Sequence, residues 1–251
     1  MQIAIVVYPG MTALDVIGPY EVLRMLPGAR LRFVWHEPGP ITTDSGVLLL
    51  GATHSLDETP SPDIVLIGGS GPATAATAAD EKLLAWLRQV HETSTWTTSV
   101  CTGSVILAAA GILKGKPATS HWAGLPMLKA LGAEPRAEER IVRDGKIVTA
   151  AGVSAGIDLG LWLVGEIAGK DQAEAIQLMI EYDPQPPFDS GHMSKASSAT
   201  RRKVTGLVGR EGVDLLTADP RAVVREASAI ANLSWAAAIE RARARRRFGK
   251  R

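Results

Sequence analysis

The residues able to do chemistry fall in three separate stretches. The first is Ser99-Val100-Cys101-Thr102-Gly103-Ser104, which carries the one cysteine of the chain. Trp96–Val100 leads into it as a strand, and Ser104–Ala110 leads out as a helix that Gly111 ends. A nucleophile at such a junction stands on a sharp, strained turn. Small residues two positions before and after relieve the crowding, and Ser99 and Gly103 occupy those places. The junction puts the sulfur over the carboxyl end of a sheet, where open α/β folds bind ligands. It also lies beside a helix N-terminus, which favours thiolate over thiol. The competing reading is that Cys101 is a small buried hydrophobe, the usual state of a lone cysteine.

The second stretch is Gly68-Gly69-Ser70-Gly71-Pro72, at the end of the strand Asp63–Ile67. As a dinucleotide loop it is poor. The third small residue is out of pattern, Pro72 interrupts the helix start, and no acidic residue ends the next strand, where a ribose needs one. As an oxyanion hole it is better, because glycine amides can approach a reacting atom and a nucleophile stands beside them. A plain strand-to-helix loop is the simplest alternative. The third stretch is Pro9-Gly10 through Leu14-Asp15 to Gly18-Pro19, after the first strand. Asp15 reads equally well as a general acid/base at the carboxyl end of the sheet or as an N-cap of the helix that follows.

The elements that must position these groups alternate. Gln2–Tyr8, Leu31–Trp35, Val47–Leu50, Asp63–Ile67 and Trp96–Val100 read as strands. Gly18–Met25, Asp80–His91, Val153–Ile167 and Gln172–Tyr182 read as helices, and Asp144-Gly145 as a hairpin turn between Ile141–Arg143 and Lys146–Thr149. Alternation argues for an α/β fold, a mainly parallel sheet with helices on both faces. The spacing divides the chain into an α/β domain over residues 1–190 and a C-terminal helical extension over residues 191–251. The basic end of that extension, Arg241–Arg251, reads as a solvated helix face or frayed terminus rather than a nucleic-acid contact.

Composition sets the outer limits. The 251 residues carry a formal net charge of +1, which gives no bias toward nucleic acid or acidic partners. A bilayer span needs about 20 consecutive apolar residues, and the sequence holds no such run. The start, MQIAIVVYPG, reads as a buried strand rather than a signal peptide, so a cytoplasmic protein is expected. One cysteine rules out an intramolecular disulfide and a cysteine-rich metal site.

These motifs form an ordered set. It comprises Pro9-Gly10 with Leu14-Asp15, Gly18-Pro19 and Glu21-Val22-Leu23, then Ile67-Gly68-Gly69-Ser70-Gly71, then Ser99–Trp122 and Ile141–Leu163. The set resembles the ThiJ/PfpI, or class I glutamine-amidotransferase-like, superfamily, over roughly residues 2–188. Within it the likeness is to isonitrile hydratases, which share the EPGP stretch at Glu37–Pro40 and a YxPxPPF stretch like Tyr182–Phe188. The resemblance implies a flavodoxin-like sandwich, a homodimer, no metal or organic cofactor, and hydration of a small-molecule isonitrile to an N-substituted formamide. It gives Cys101 as nucleophile, Asp15 as the carboxylate beside it, and Thr102 as the threonine that follows. Gly69 and Ser70 fall where the superfamily places oxyanion-type amides, and Gly152 and Val153 match the loop near the nucleophile.

The resemblance has two departures: Ala150-Ala151, where hydratases can carry glycines and a narrower pocket is expected, and the tail beyond Gly191, which does not align with the family. The protease-like branch places histidine directly after the cysteine, and Thr102 stands there instead. His121 is expected to pack beside Trp122 rather than activate the thiol, which argues against peptidase chemistry. Three alternatives come from other classes. They are a glyoxalase-like or deglycase-like enzyme acting on a carbonyl, a redox sensor oxidised at Cys101, and a transcriptional regulator. The regulator ranks last, because no helix–turn–helix is legible after Phe188.

Overall fold

The structure, a computed structural model, describes residues 1–207 together with Ala231 and Ser234. The chain opens with β1 (Gln2–Val6), α1 (Ala13–Leu23), β2 (Arg30–Trp35), β3 (Gly39–Thr42), β4 (Leu49–Ala52) and β5 (His54–Ser55). It continues with β6 (Ile64–Ile67), α2 (Thr74–Thr77), α3 (Glu81–Thr93), β7 (Trp96–Val100) and α4 (Gly103–Ala109). Then come β8 (Pro117–Ala118), α5 (Leu125–Ala130), β9 (Glu134–Pro135), β10 (Ile141–Asp144), β11 (Ile147–Ala150), α6 (Ala155–Ala168) and α7 (Lys170–Met179). Residues 198–207 are helical as well.

The 7-stranded sheet runs β10-β11-β7-β6-β1-β2-β5 and is parallel throughout except for the β10–β11 pair. Strands β1, β6 and β7 are apolar or small-residue runs buried on both faces, as a covered parallel sheet requires. Helices α1, α6 and α7 pack together, and α3, α4 and α5 form a second group. The result is the α/β sandwich with a mainly parallel sheet that the alternation implies. From β1 the chain first builds outward through β2 and β5. It then returns to the other side of β1 with β6, β7 and β11. The reversal makes the gap between β1 and β6 a topological switch point, and ligands bind at such points beyond the carboxyl ends of the strands.

Helix α1 is placed by close packing against α6. A Cβ on Gly160 would lie 2.9 Å from Val22 Cβ, and one on Gly18 would lie 3.1 Å from Ile157 Cγ1. Glycine at both positions lets the helices approach closely, which brings the first turn of α1 over the switch point.

Several elements differ from expectation. Helix α1 starts at Ala13, before Gly18, with Thr12 as its N-cap and Pro19 inside it. Asp15 therefore lies within the first turn and does not cap the helix. The run Val47–Leu50 is not a buried strand. Only its end enters β4, which pairs antiparallel with β3 as a separate arm, and Val47 is 86% exposed. The hairpin turn is Gly145-Lys146, one residue later than expected, because Asp144 pairs with Ile147. Helix α7 ends at Met179. The expected helix over Trp235–Arg251 lies outside the described residues. Among the described residues no helix is long and apolar enough to cross a membrane.

Candidate active site

The carboxyl ends of β1, β6, β7 and β11 converge on Cys101. The residue directly follows β7 and has φ +59°, in the left-handed region that a side chain with Cβ rarely occupies. Strain of this kind costs on the order of 1–3 kcal/mol and persists only where the surroundings enforce it. Here they do. The Cys101 amide donates to the Ala151 carbonyl at 2.8 Å and to Ala150 O at 3.2 Å. Its own carbonyl accepts from Ser120 Oγ at 3.0 Å and Ser104 Oγ at 3.3 Å.

Glycines let the neighbouring loop close onto this turn. A Cβ on Gly103 would sit 2.2 Å from the Ile67 carbonyl oxygen, and one on Gly69 would sit 2.5 Å from the Thr102 nitrogen. The loop after β6 therefore lies directly against the start of α4. Hydroxyls lock it there: Ser70 N–H donates to Thr102 Oγ1 at 3.0 Å and to Thr74 Oγ1 at 3.2 Å, and Thr102 Oγ1 donates to Ser70 O at 2.8 Å. The loop after β1 is tied to it too, since Ser70 Oγ donates to Gly10 O at 2.6 Å and Thr12 N to Gly69 O at 3.0 Å.

Asp15 reaches this junction from α1. It is 0% exposed, and Gly69 N–H donates to its Oδ2 at 2.7 Å. Its Oδ1 is buried and takes no hydrogen bond from a nitrogen or oxygen among the described residues. Burial raises its pKa from the ordinary 3.8 to about 7, against the opposing pull of the Gly69 amide and a side-chain hydrogen bond with Cys101. Burial likewise pushes the Cys101 thiol up to about 12, and the neighbouring Asp15 charge adds to the rise. Hydrogen bonds from the Val153 and Thr102 amides act the other way and are outweighed.

Burial beside a carboxylate thus works against the thiolate that the helix start favours. Helix α4, which starts just after the cysteine, is 7 residues long. Within the pair, burial raises both groups, the carboxyl to about 7 and the thiol further.

The candidate residues divide accordingly. The structure brings Cys101, Asp15, Thr102, Gly69, Ser70, Gly152 and Val153 to one place. Gly69 and Ser70 do not offer free amides, however. The first is committed to Asp15 and the second to the two threonines. The amides that face the sulfur belong to Thr102 and Val153. Gly152 makes room for His121, whose Cδ2 would be 2.7 Å from a Cβ there. His121 packs on Trp122 with ring centroids 5.1 Å apart, and burial lowers its pKa. Sequence reasoning missed Thr74, Ser120 and Tyr8. Only Tyr8, at the carboxyl end of the first strand, carried a positional signal. Among the described residues no cluster of three or more His, Cys, Asp or Glu side chains could hold a metal ion.

The chain is 42% identical over 199 residues to an isonitrile hydratase of Pseudomonas putida, covering 79% of this chain and 86% of that enzyme. It is 27% identical to the HTH-type transcriptional regulator CdhR of Pseudomonas aeruginosa, covering 80% of this chain but 62% of the regulator. A crystal structure of a ThiJ/PfpI family protein from Pseudomonas syringae superposes with a TM-score of 0.80 at 38% identity, over 90% of each chain. The DJ-1/PfpI family model matches residues 1–166, and the chain belongs to that family.

Proposed function

We propose that this protein is an isonitrile hydratase, a hydro-lyase that adds water to an isonitrile to give an N-substituted formamide. The observation that carries the reading is the Asp15 carboxyl, fully buried beside the Cys101 thiol and held there by the Gly69 amide at 2.7 Å. The hydratase relative supports it, because similarity there runs over 86% of the relative's length, against 62% for the regulator.

The reaction needs one nucleophile and one proton carrier. Asp15 takes the thiol proton as Cys101 sulfur attacks the terminal carbon of R–N≡C, and returns it to that carbon. The product is a thioimidate, R–N=CH–S–Cys. Asp15 then takes a proton from water as its oxygen attacks the same carbon, and passes that proton to nitrogen. The tetrahedral adduct R–NH–CH(OH)–S–Cys collapses, releasing R–NH–CHO and restoring the thiol. Every atom is accounted for by one isonitrile and one water. Amides of Thr102 and Val153 steady the sulfur, and Gly69 and Ser70 hold the acid/base and the threonines in place. No metal or organic cofactor enters the scheme.

The same reading extends to context. We infer a cytoplasmic homodimer, with a catalytic domain over residues 1–190 and an extension over residues 191–251. The exposed apolar Val47 and Leu49 on the β3–β4 arm offer a surface for a second copy.

A pH profile tests the mechanism. Cys101 attacks only after Asp15 is ionised, and the thiol stays protonated to about 12. For an alkyl isonitrile, kcat/KM should therefore fall about tenfold per pH unit below a bend near 7 and stay level above it. A profile without that bend would remove Asp15 as the base, and no consumption at any pH would sink the hydratase reading.

A further inference from the structure

Tyr8 has no part in the scheme above, yet it is wired to the acid/base. It directly follows Val7 beyond β1 and is 0% exposed. Its hydroxyl donates to the Gly68 carbonyl oxygen at 3.1 Å. The N–H of that same peptide group is the Gly69 amide, which donates to Asp15 Oδ2 at 2.7 Å. One peptide unit thus takes a hydrogen bond at its oxygen and gives one at its nitrogen. Hydrogen bonds in such chains polarise one another, so a donor at the carbonyl makes the N–H a better donor.

The peptide cannot turn away. A Cβ on Gly68 would lie 2.8 Å from Asp15 Cβ, and one on Gly69 would lie 2.3 Å from Thr102 Oγ1, so it is clamped between α1 and the cysteine turn. Tyr8 is also a fixed donor, because burial and the nearby Asp15, Cys101 and Asp44 hold its phenol well above its ordinary pKa.

We propose that Tyr8 is a positioning residue for hydration: through the Gly68–Gly69 peptide, its hydroxyl strengthens the hydrogen bond that orients the Asp15 carboxylate and favours its ionised form. The inference rests on the hydratase reading for its role in turnover, but the relay itself does not. The ionisable groups acting on Asp15 are Cys101 from the β7–α4 turn and Asp44 from the arm formed by β3 and β4. Tyr8, on the loop after β1, acts on it through the peptide. Tyr8→Phe removes the hydroxyl and leaves both of the others in place.

The test follows the Asp15 carboxyl by carbon-13 NMR, assigned by its loss in Asp15→Asn. In Tyr8→Phe the midpoint should rise by about 0.5–1 unit, since the carboxylate has lost support. The bend in kcat/KM should move with it, giving a loss of about 3- to 10-fold below pH 7 that disappears by pH 9. If Tyr8→Phe folds poorly, replacing all 3 tyrosines with 3-fluorotyrosine gives a stronger donor, and the midpoint should fall instead. An unmoved midpoint, or a rate loss equal at every pH, would overturn the proposal. A shifted midpoint in a protein that hydrates no isonitrile would leave the relay standing and sink the hydratase reading.

Discussion

Asp15→Asn is expected to lower isonitrile turnover by at least ~100-fold, the lower end of what a positioned proton carrier contributes. Asparagine keeps the shape, and its oxygen can still accept from the Gly69 amide. What it loses is the ability to take the thiol proton. Because Asp15 lies inside the first turn of α1 and caps nothing, the change removes no cap. Stability should in fact rise at high pH. The folded pKa of about 7 lies above the ordinary 3.8, so the folded state binds more protons than the unfolded one between those values. Stability from this group is complete below about pH 4 and is lost as pH rises toward 7. At pH 8 the wild type carries a buried carboxylate that the variant lacks. Asp15→Asn should therefore be more stable there, on the order of 2–4 kcal/mol, with the difference closing near pH 4. Urea denaturation at the two pH values reads it. A near-normal rate, or a stability gap equal at both pH values, would remove Asp15 from the mechanism.

Cys101→Ser should abolish turnover, a fall of at least about 10,000-fold, while the fold is retained. Serine occupies nearly the same volume, and the hydrogen bonds that enforce φ +59° come from the backbone of residue 101, which the substitution leaves alone. A hydroxyl is a far weaker acid than the thiol, and Asp15 with a pKa near 7 cannot deprotonate it usefully. Steady-state assays with circular dichroism as a folding control decide this. Retained activity in a folded variant would rule out covalent catalysis.

The fold was legible because its signals are local. The apolar run Ile64–Ile67 and the β-branched, small-residue stretch Trp96–Val100 are buried strands in one parallel sheet, and the turn at Cys101 follows from strand, small residue and helix in sequence. The arm formed by β3 and β4 was not legible. Its apolar residues look like core in the sequence, but Val47 and Leu49 face outward, and periodicity carries no information about what an element packs against. The two readings of Asp15 were equal in sequence for a similar reason. The capping reading depends on where α1 begins, and Thr12 rather than Asp15 stands at that start.

The electrostatics were the least legible part. A cysteine before a helix suggests a thiolate, yet burial beside a carboxylate works against it. Nor could spacing reveal that the Gly69 and Ser70 amides are already committed within the protein. Both facts belong to contacts between distant segments.

The central claim is that water is added across the isonitrile carbon with the C–N bond kept. Proton NMR of purified protein with a simple alkyl isonitrile, in water enriched in oxygen-18, reads this directly when paired with product mass. The account predicts catalytic appearance of the N-alkyl formamide, with its formyl proton and one heavy oxygen per molecule, over many turnovers per cysteine. Release of alkyl amine and formate instead, or an isonitrile left unchanged beside folded protein, would contradict it.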